Sequence, residues 1–391
     1  MASCTVRGQD QDEDGHFSSA CLVMPGDDCD DSKSTVYAGA PELCDGLDND
    51  CNSRRDVQDG LLPSGSTFAV GPSGVAASSP KIAWAAEKGR FGITYVELDT
   101  PDTNLYFEEV NRNGSVSLAP RPLNDVSSFD WHGGASLAWG GKSFLAAWNG
   151  SWLVWLRKID ADGVPSTAIS LETKDFTYLE RDPEIALTSN GTWGLVYPQL
   201  NDGVEALLGY QFSDSLKPIG SVKAISMGDG ARANYWDIVA TGDRFVVNAN
   251  TPRLMSASFD ESVRLAVTGD APVLASGRKG FLIATRAADG PRVWLFAPSG
   301  GSACGPVAFA DESFIPESAV ATSSGYLIVS SGKVRVQEVR NDCALGALFT
   351  LDAGPASLVS ISGGAEGYGV VWDDTALNIA KRRFFGPNYC D

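Results

Sequence analysis

The segments GKSFLAAW (residues 141–148) and NGTWGLVY (residues 190–197) share one pattern: a tight turn that contains glycine, an aromatic residue, and then a short apolar run. Runs of this kind, bounded by turn residues, are typical of β-strands. The unit recurs after about residue 60, with its aromatic residue at Phe91, Phe144, Trp193, Phe245, Phe281, Tyr326 and Tyr368. The spacing of 36–53 residues matches one four-stranded propeller blade.

The remaining strands of each blade follow the aromatic unit. A third strand such as WLVWLRKI (152–159) follows every unit, and a fourth such as STAISL (166–171) follows six of them. The last unit lacks a fourth strand, whereas STFAV (66–70) precedes the first unit without a partner. We therefore predict an all-β fold, a seven-bladed β-propeller of four-stranded blades that an N-terminal strand closes. A two-sheet sandwich is one alternative, but it does not explain one unit repeated seven times. A propeller of six or eight blades is the other.

Acidic residues are concentrated at the N-terminus. The chain has a formal charge of -19, and residues 1–60 contain 14 acidic against 4 basic side chains. This field repels phosphate backbones, so we expect no nucleic-acid partner and expect cations instead. No uninterrupted apolar run is long enough for a transmembrane helix. We predict two domains, a Cys/Asp-rich calcium-binding module at 1–62 and the propeller at 63–391.

Eight cysteines indicate disulfides rather than zinc. The chain has no C-x-x-C motif and only two histidines, so structural-zinc ligands are lacking. Clustered cysteines in an even number favour an oxidising compartment. Cys304 and Cys343 occupy similar places in adjacent repeats and are expected to pair, while Cys390 is available to the odd cysteine of the N-terminal group. That group comprises Cys4, Cys21, Cys29, Cys44 and Cys51.

The first residues of the chain bear on the localisation of the protein. No signal peptide is visible, so export requires a leader that has been cut or replaced. Small residues before Cys4 resemble the end of a lipoprotein processing site, which makes Cys4 a candidate anchor. We expect a protein that is secreted or held at the cell surface of a bacterium.

Asp10, Asp12 and Asp14, followed by Gly15, match positions 1, 3, 5 and 6 of a calcium loop. Carboxylates on alternate residues converge as the loop bends, and glycine permits the bend. Position 12 holds Cys21 instead of glutamate, so an ion here needs an outside carboxylate. The candidates are Asp27, Asp28, Asp30, Asp31 and Glu42.

A second candidate loop spans residues 48–59 and fills every ligand position. Ser53 stands where glycine is preferred, and Arg54 and Arg55 place positive charge near the ion, so we expect weaker binding. The ligands in order are Asp48, Asp50, Asn52, Arg54 through its backbone carbonyl, Asp56 and Asp59. His16 and Asp45 complete the set of candidate metal ligands.

The acidic segment also resembles a known motif. Asp27–Asp31 (DDCDD) followed by VYAGAPELCDGLDNDCN looks like the metal-binding repeat of many secreted bacterial proteins, notably of myxobacteria. The resemblance covers roughly residues 8–60 and implies metal binding. Asn52-Ser53 replaces the usual Asp-Gly, and Asp56-Val57 replaces Asp-Glu. We expect structural calcium, because so small a module needs disulfides or metal to fold.

The propeller sequence points to binding rather than catalysis. It contains no G-x-S-x-G or H-E-x-x-H motif, and His132, between Trp131 and Gly133, reads as a turn or channel residue. We predict a non-enzymatic binding or scaffold protein with a protein or glycan ligand on one propeller face. A lectin is one alternative. A polysaccharide hydrolase or lyase is another, with acids from Asp130, Asp182, Glu184, Asp237 or Asp373.

Overall fold

The computed structural model describes two compact units that divide between Gly65 and Ser66, with 365–367 and 384–385 grouped in the first. No helix within the described residues is long and apolar enough to cross a membrane. The residues described are 10–20, 26–38, 40, 47–49, 51, 63–98, 104–124, 134–150, 153–172, 182–201, 204–225, 236–249, 251–287 and 289–385.

The second unit is a β-propeller built from antiparallel sheets. Its first strand is β1 (Pro63–Ala69). The first four-stranded sheet contains β2 (Ala77–Ala85), β3 (Arg90–Glu97), β4 (Asn104–Asn111) and β5 (Val116–Pro122). A short 3-10 helix, Ala86–Lys88, joins β2 to β3. The second sheet contains β6 (Ser136–Trp139), β7 (Phe144–Gly150), β8 (Leu153–Ile159) and β9 (Ile169–Glu172).

Three further four-stranded sheets follow in chain order. The third contains β10 (Glu184–Leu187), β11 (Trp193–Asn201), β12 (Val204–Phe212) and β13 (Lys223–Ile225). The fourth contains β14 (Trp236–Thr241), β15 (Arg244–Ala249), β16 (Arg253–Met255) and β17 (Ser262–Arg264). The fifth contains β18 (Asp270–Gly277), β19 (Gly280–Arg286), β20 (Arg292–Phe296) and β21 (Ser302–Ala308).

The sixth sheet has six strands, in the spatial order β1-β26-β25-β24-β23-β22. Its new members are β22 (Ile315–Ala321), β23 (Gly325–Arg340), β24 (Leu345–Gly364), β25 (Gly367–Asp374) and β26 (Ile379–Phe385). The prediction of seven four-stranded blades is therefore wrong: the propeller has six blades, because the last two predicted repeats share one sheet.

The last two predicted repeats share one sheet because β23 and β24 are continuous where the sequence predicts breaks between strands. β23 folds back at Gly332, whose φ is +80°, and the backbone N–H of Asn341 donates to the carbonyl of Ser324 at 3.0 Å. β23 pairs with β22 along one half and with β24 along the other. β24 then continues to Gly364 and neighbours β25.

The ends of the propeller chain meet in the sixth sheet. β1 lies beside β26, and the backbone N–H of Val70 donates to the carbonyl of Ala380 at 2.9 Å. The innermost strands contact one another in chain order from β2 through β6, β10, β14 and β18 to β22, and β24 contacts both β22 and β2. Each inner strand that the structure describes therefore contacts a neighbouring inner strand, which protects these sheet edges from pairing with other chains.

The repeated aromatic residues form the core between blades. Phe144 is fully buried and packs against Phe107 of the preceding sheet, with 5.2 Å between ring centroids. Gly92 makes room for this contact, because a Cβ there would lie 2.7 Å from the Phe144 ring. Gly194 does the same for Phe245 of the next sheet, where a Cβ would lie 2.5 Å from the ring. The aromatic unit therefore specifies packing between neighbouring blades.

A disulfide joins Cys304 of β21 to Cys343, which follows β23. These are the two cysteines that the repeat alignment places in similar positions. The bond links the fifth sheet to the sixth within one hydrophobic cluster, which also contains Phe309 and Phe314.

Candidate metal centre

The loop Asp10–Gly15 bends as its sequence predicts. Both oxygens of the Asp10 carboxylate accept backbone hydrogen bonds, Oδ1 from Asp14 N at 3.0 Å and Oδ2 from Gly15 N at 3.0 Å. Gly15 has a φ of +95°, in a region that side chains rarely adopt. Asp10 therefore closes the turn and leaves the carboxylates of Asp12 and Asp14 to face inward.

A second segment brings Asp28 to the loop. The backbone N–H of Asp28 donates to the carbonyl of Phe17 at 3.0 Å, and Gly26 N donates to Ser18 O at 3.1 Å. Only glycine fits at position 26, because a Cβ there would lie 1.8 Å from the Phe17 carbonyl oxygen. This close approach fixes Asp28 beside the loop, and its side chain is completely buried.

Asp12, Asp14 and Asp28 form the candidate metal centre. One carboxylate oxygen of each lies within 4.8 Å of the others. Calcium binds oxygen at about 2.3–2.6 Å, so two ligands of one ion can be at most about 5 Å apart. The Oδ2 atoms of all three carboxylates are buried and accept no hydrogen bond from the described residues. Buried carboxylate oxygens without donors are costly, and a cation would satisfy them.

The electrostatics of the three carboxylates favour a cation. Burial raises the pKa of Asp28, and the charges of Asp12, Asp31 and Asp14 raise it further. Burial likewise raises the pKa of Asp12, with added repulsion from Asp14, Asp10 and Asp31. Because each of these effects disfavours the ionised carboxylates, a bound cation would remove the repulsion that the fold imposes.

A second carboxylate group shares Asp12 with the first. It consists of Asp10, Asp12 and Asp31, again with oxygens within 4.8 Å of one another. Oδ1 of Asp31 accepts a hydrogen bond from Gln11 N at 2.9 Å. Since Asp10 also accepts two backbone donors, this group is better satisfied by protein contacts than the first.

His16 and Asp27 support the centre from outside. The Nδ1 atom of His16 lies 2.9 Å from Oδ2 of Asp27, and the His16 ring stacks on Tyr37 at 3.8 Å. The hydrogen bond to Asp27 raises the pKa of His16, and the bond from His16 lowers the pKa of Asp27. The sequence offered both residues as candidates for the ion, and it gives no signal of their pairing with each other.

Asp30 turns away from the carboxylate groups. Its Oδ1 accepts a hydrogen bond from the Ser32 hydroxyl at 2.7 Å, and its backbone carbonyl accepts from Lys33 N at 2.9 Å. Asp30 therefore stabilises the turn after Cys29.

A disulfide between Cys29 and Cys51 ties the Asp28 segment to the chain 22 residues further on. Asn49, which is fully buried, donates from Nδ2 to the carbonyl of Thr35 at 3.1 Å. Its own carbonyl accepts from Tyr37 N at 2.8 Å. These polar contacts hold the segment in place.

Most of the second predicted loop lies outside the described residues, as do several candidate cysteines. Asp48 is described and belongs to neither carboxylate group. The candidates outside the described residues are Glu42, Asp45, Asp50, Asn52, Arg54, Asp56, Asp59, Cys4, Cys21, Cys44 and Cys390, and the propeller residues Asp130 and His132.

Comparison with known families supports a metal site in this module. Residues 28–56 match the family model Cu-binding_MopE, described as a "putative metal-binding motif". The match begins at Asp28 and includes Cys29 and Cys51, but it excludes Asp12 and Asp14. No curated protein matches the chain.

Proposed function

We propose that this chain is an extracellular calcium-binding protein. In this proposal, Asp12, Asp14 and Asp28 hold the ion, and the propeller serves as a non-enzymatic binding or scaffold surface. The observation that carries the proposal is the convergence of three buried carboxylate oxygens that lack hydrogen-bond donors. The match to a metal-binding motif, together with the propeller fold, fits a binding or scaffold role.

The donor set favours calcium over copper. Carboxylate oxygens are hard ligands that suit calcium, magnesium or manganese, whereas copper favours imidazole or sulfur ligands. The matched family is named for copper, but both carboxylate groups among the described residues consist of aspartates, and His16 belongs to neither. The disulfide removes the thiol of Cys29, the residue next to Asp28. Calcium also tolerates the irregular geometry that two separate chain segments provide.

An ion held by these three carboxylates would have a structural role. Asp12 and Asp14 come from one segment and Asp28 from another, so an ion held by all three would link the two segments. A bound divalent cation supplies positive charge and extra bonds to oxygen. Asp10, Gly15 and Gly26 shape the backbone around the carboxylates. Metal binding and folding of the module would then be coupled.

The experiment is a calcium titration of the wild-type protein and of Asp28→Asn by isothermal calorimetry, after removal of bound metal with a chelator. Asp28→Asn removes the buried ligand and should weaken calcium binding by about a hundredfold or more. Asp162→Asn is the matched control, because Asp162 is an exposed acid in a propeller turn. Equal calcium affinity of Asp28→Asn and wild type would contradict the site. If the protein bound copper more tightly than calcium, and Asp28→Asn abolished that binding, the site would be a copper site rather than a calcium site.

Disulfides support the extracellular location. Two are present in the described residues, Cys29–Cys51 and Cys304–Cys343, and such bonds persist in oxidising compartments. The measurement is mass spectrometry of protein from its native source, fractionated into cytosol, surface and medium. Recovery from the surface or medium with these cysteines oxidised is expected. A reduced cytosolic protein would overturn the location.

The scaffold role is tested separately from the metal site. Turnover of a panel of polysaccharides would overturn the non-enzymatic assignment, and specific binding on a glycan array would identify a lectin. Pull-down with a defined partner, retained when Asp28 is replaced, would support a propeller surface that acts independently of the ion.

A further inference from the structure

Charged side chains from three blades meet where the innermost strands begin. Glu184 is the first residue of β10 and Asp237 is the second of β14. Lys81 follows a bulge near the start of β2. Its Nζ lies 3.2 Å from Oε1 of Glu184, although β6 separates the two strands. Lys81 thus reaches past one blade to another, which places this group at one mouth of the propeller axis.

Small residues at the start of β6 leave space for this reach. Ser136, the first residue of β6, is 2% exposed, and its hydroxyl has no hydrogen-bond partner among the described residues. Ala138, two positions on and therefore on the same face of the strand, packs in one cluster with Ile185 and Leu187 of β10. Ser136 therefore lies on the face of β6 that packs against β10, at the start of the strand.

Two carboxylates at this mouth form no ion pair with another described residue, although the charge of Lys81 acts on Asp237. Within the described residues, Asp237 accepts backbone hydrogen bonds from Ile238 N at 2.8 Å and Leu274 N at 3.1 Å. Asp373, near the end of β25, accepts from Ser79 N at 3.1 Å through Oδ2, and its other oxygen is buried without a partner. Burial raises the pKa of each to about 7. Both groups would be stabilised by positive charge.

The spacing of these carboxylates distinguishes a metal from an organic cation. Among the residues that the structure describes, groups of three metal-ligating oxygens within 4.8 Å of one another occur in the first unit, not at this mouth. Lys81 already places an ammonium group beside Glu184. The mouth therefore suits a group that donates several N–H bonds over a wider span.

We propose that the mouth formed by Lys81, Ser136, Glu184 and Asp237 is a second ligand site, and that it binds an ammonium or guanidinium group. Asp237 supplies a carboxylate that forms no ion pair with the described residues, and the Ser136 hydroxyl accepts a further N–H. The ligand can be a free amine or a lysine or arginine side chain of a partner peptide. This site is independent of the metal centre.

The experiment uses the full chain in saturating calcium, so that the carboxylates of the metal centre do not contribute. Calorimetry measures binding of agmatine and of a short blocked peptide that contains one arginine. Asp237→Asn should weaken binding by about tenfold or more, because a hydrogen bond to a charged group is lost. Ser136→Ala should weaken it less, and Lys81→Met should strengthen it by freeing Glu184.

Asp260→Asn is the matched control. Asp260 belongs to the same sheet as Asp237, between β16 and β17 at the opposite end, and is about half exposed. It should bind as wild type does. Thermal melting establishes that each variant is folded, and Lys81→Met keeps the proposal testable if Asp237→Asn does not fold. Absence of binding to wild type, or equal binding by wild type, Asp237→Asn and Lys81→Met, would overturn the proposal. Binding of the peptide alone would identify a protein partner as the source of the cation.

Discussion

The N-terminal module and the propeller are stabilised by different forces. Among the described residues of the module, the buried apolar side chains are Val36 and Ala40. The propeller instead buries whole tryptophan and phenylalanine side chains between successive sheets. Burial of apolar area dominates folding energy, so the module must depend on its disulfide, its polar contacts and the proposed ion. Mutations should therefore affect the two regions in different ways.

The largest expected effect is in the propeller core. Trp193 is fully buried and packs with Leu145 and Phe212 between the second and third sheets. Trp193→Ala should lower the free energy of unfolding by about 3–5 kcal/mol, because it leaves a large cavity. Urea denaturation measures this change, and the half-buried Trp155→Ala is the matched control with a smaller loss. Calcium affinity of folded Trp193→Ala should equal that of wild type.

The buried ion pair between Glu108 of β4 and Arg382 of β26 comes next. Both side chains are at most 5% exposed, and Arg382 also donates to the carbonyl of Gly114 at 3.2 Å. Burial raises the pKa of Glu108 and lowers that of Arg382, so desolvation exceeds their mutual attraction. Glu108→Gln should cost about 3 kcal/mol, because it leaves a buried charge unpaired.

The double variant Glu108→Leu/Arg382→Met sharpens this test. Replacing both partners removes both desolvation costs, so its stability in urea should lie near that of wild type. A loss equal to the sum of the two single losses would show that Glu108 and Arg382 stabilise the protein independently and not as a pair. The exposed pair Lys223–Asp260 is the control, and breaking it should cost less than about 1 kcal/mol.

Removal of each disulfide compares the two units directly. The bonds close loops of 22 and 39 residues, and loop entropy assigns each about 3 kcal/mol. Cys29→Ser/Cys51→Ser should nevertheless unfold the module at low calcium, whereas Cys304→Ser/Cys343→Ser should leave a folded propeller. Limited proteolysis with and without calcium distinguishes these outcomes. Equal protection of the two units in both double variants would contradict the comparison.

The sequence predicted what depends on local pattern. Glycine before each aromatic residue marked the hairpins, and the alternate carboxylates of Asp10–Asp14 marked a loop that bends as expected. Asp28 was one of several outside carboxylates that the incomplete loop required. Asp28 lies at the site because Gly26 and the contact with Phe17 bring its segment against the loop. Local spacing in the sequence does not encode this contact between two segments.

The seven-blade prediction failed for a related reason. The aromatic units at Tyr326 and Tyr368 match those that mark separate blades elsewhere, so they predicted two blades. Whether a sheet ends between two such units depends on strand pairing, and here β24 pairs on both sides. The pairing of His16 with Asp27 was missed because both residue types are also metal ligands.

The smallest expected effect concerns pH and distinguishes the propeller mouth from the rest of its surface. Burial raises the pKa of Asp373 to about 7, so the folded state binds this proton more tightly than the unfolded state. Its contribution to stability is then greatest near pH 4 and falls as pH rises to about 7. Asp373→Asn keeps an acceptor for Ser79 N but cannot ionise. Asp373→Asn should therefore remove part of this loss of stability, roughly 2 kcal/mol. The figure is less than the full pKa shift implies because the carboxylate is partly hydrated.

Urea denaturation of wild type and Asp373→Asn at pH 5 and pH 8 measures the difference. Asp260→Asn should show no such gain, because the hydrogen bond from Lys223 lowers the pKa of Asp260. Identical pH profiles for wild type and Asp373→Asn would mean that the Asp373 carboxylate stays hydrated in the folded protein, which would contradict the effect of burial on its pKa.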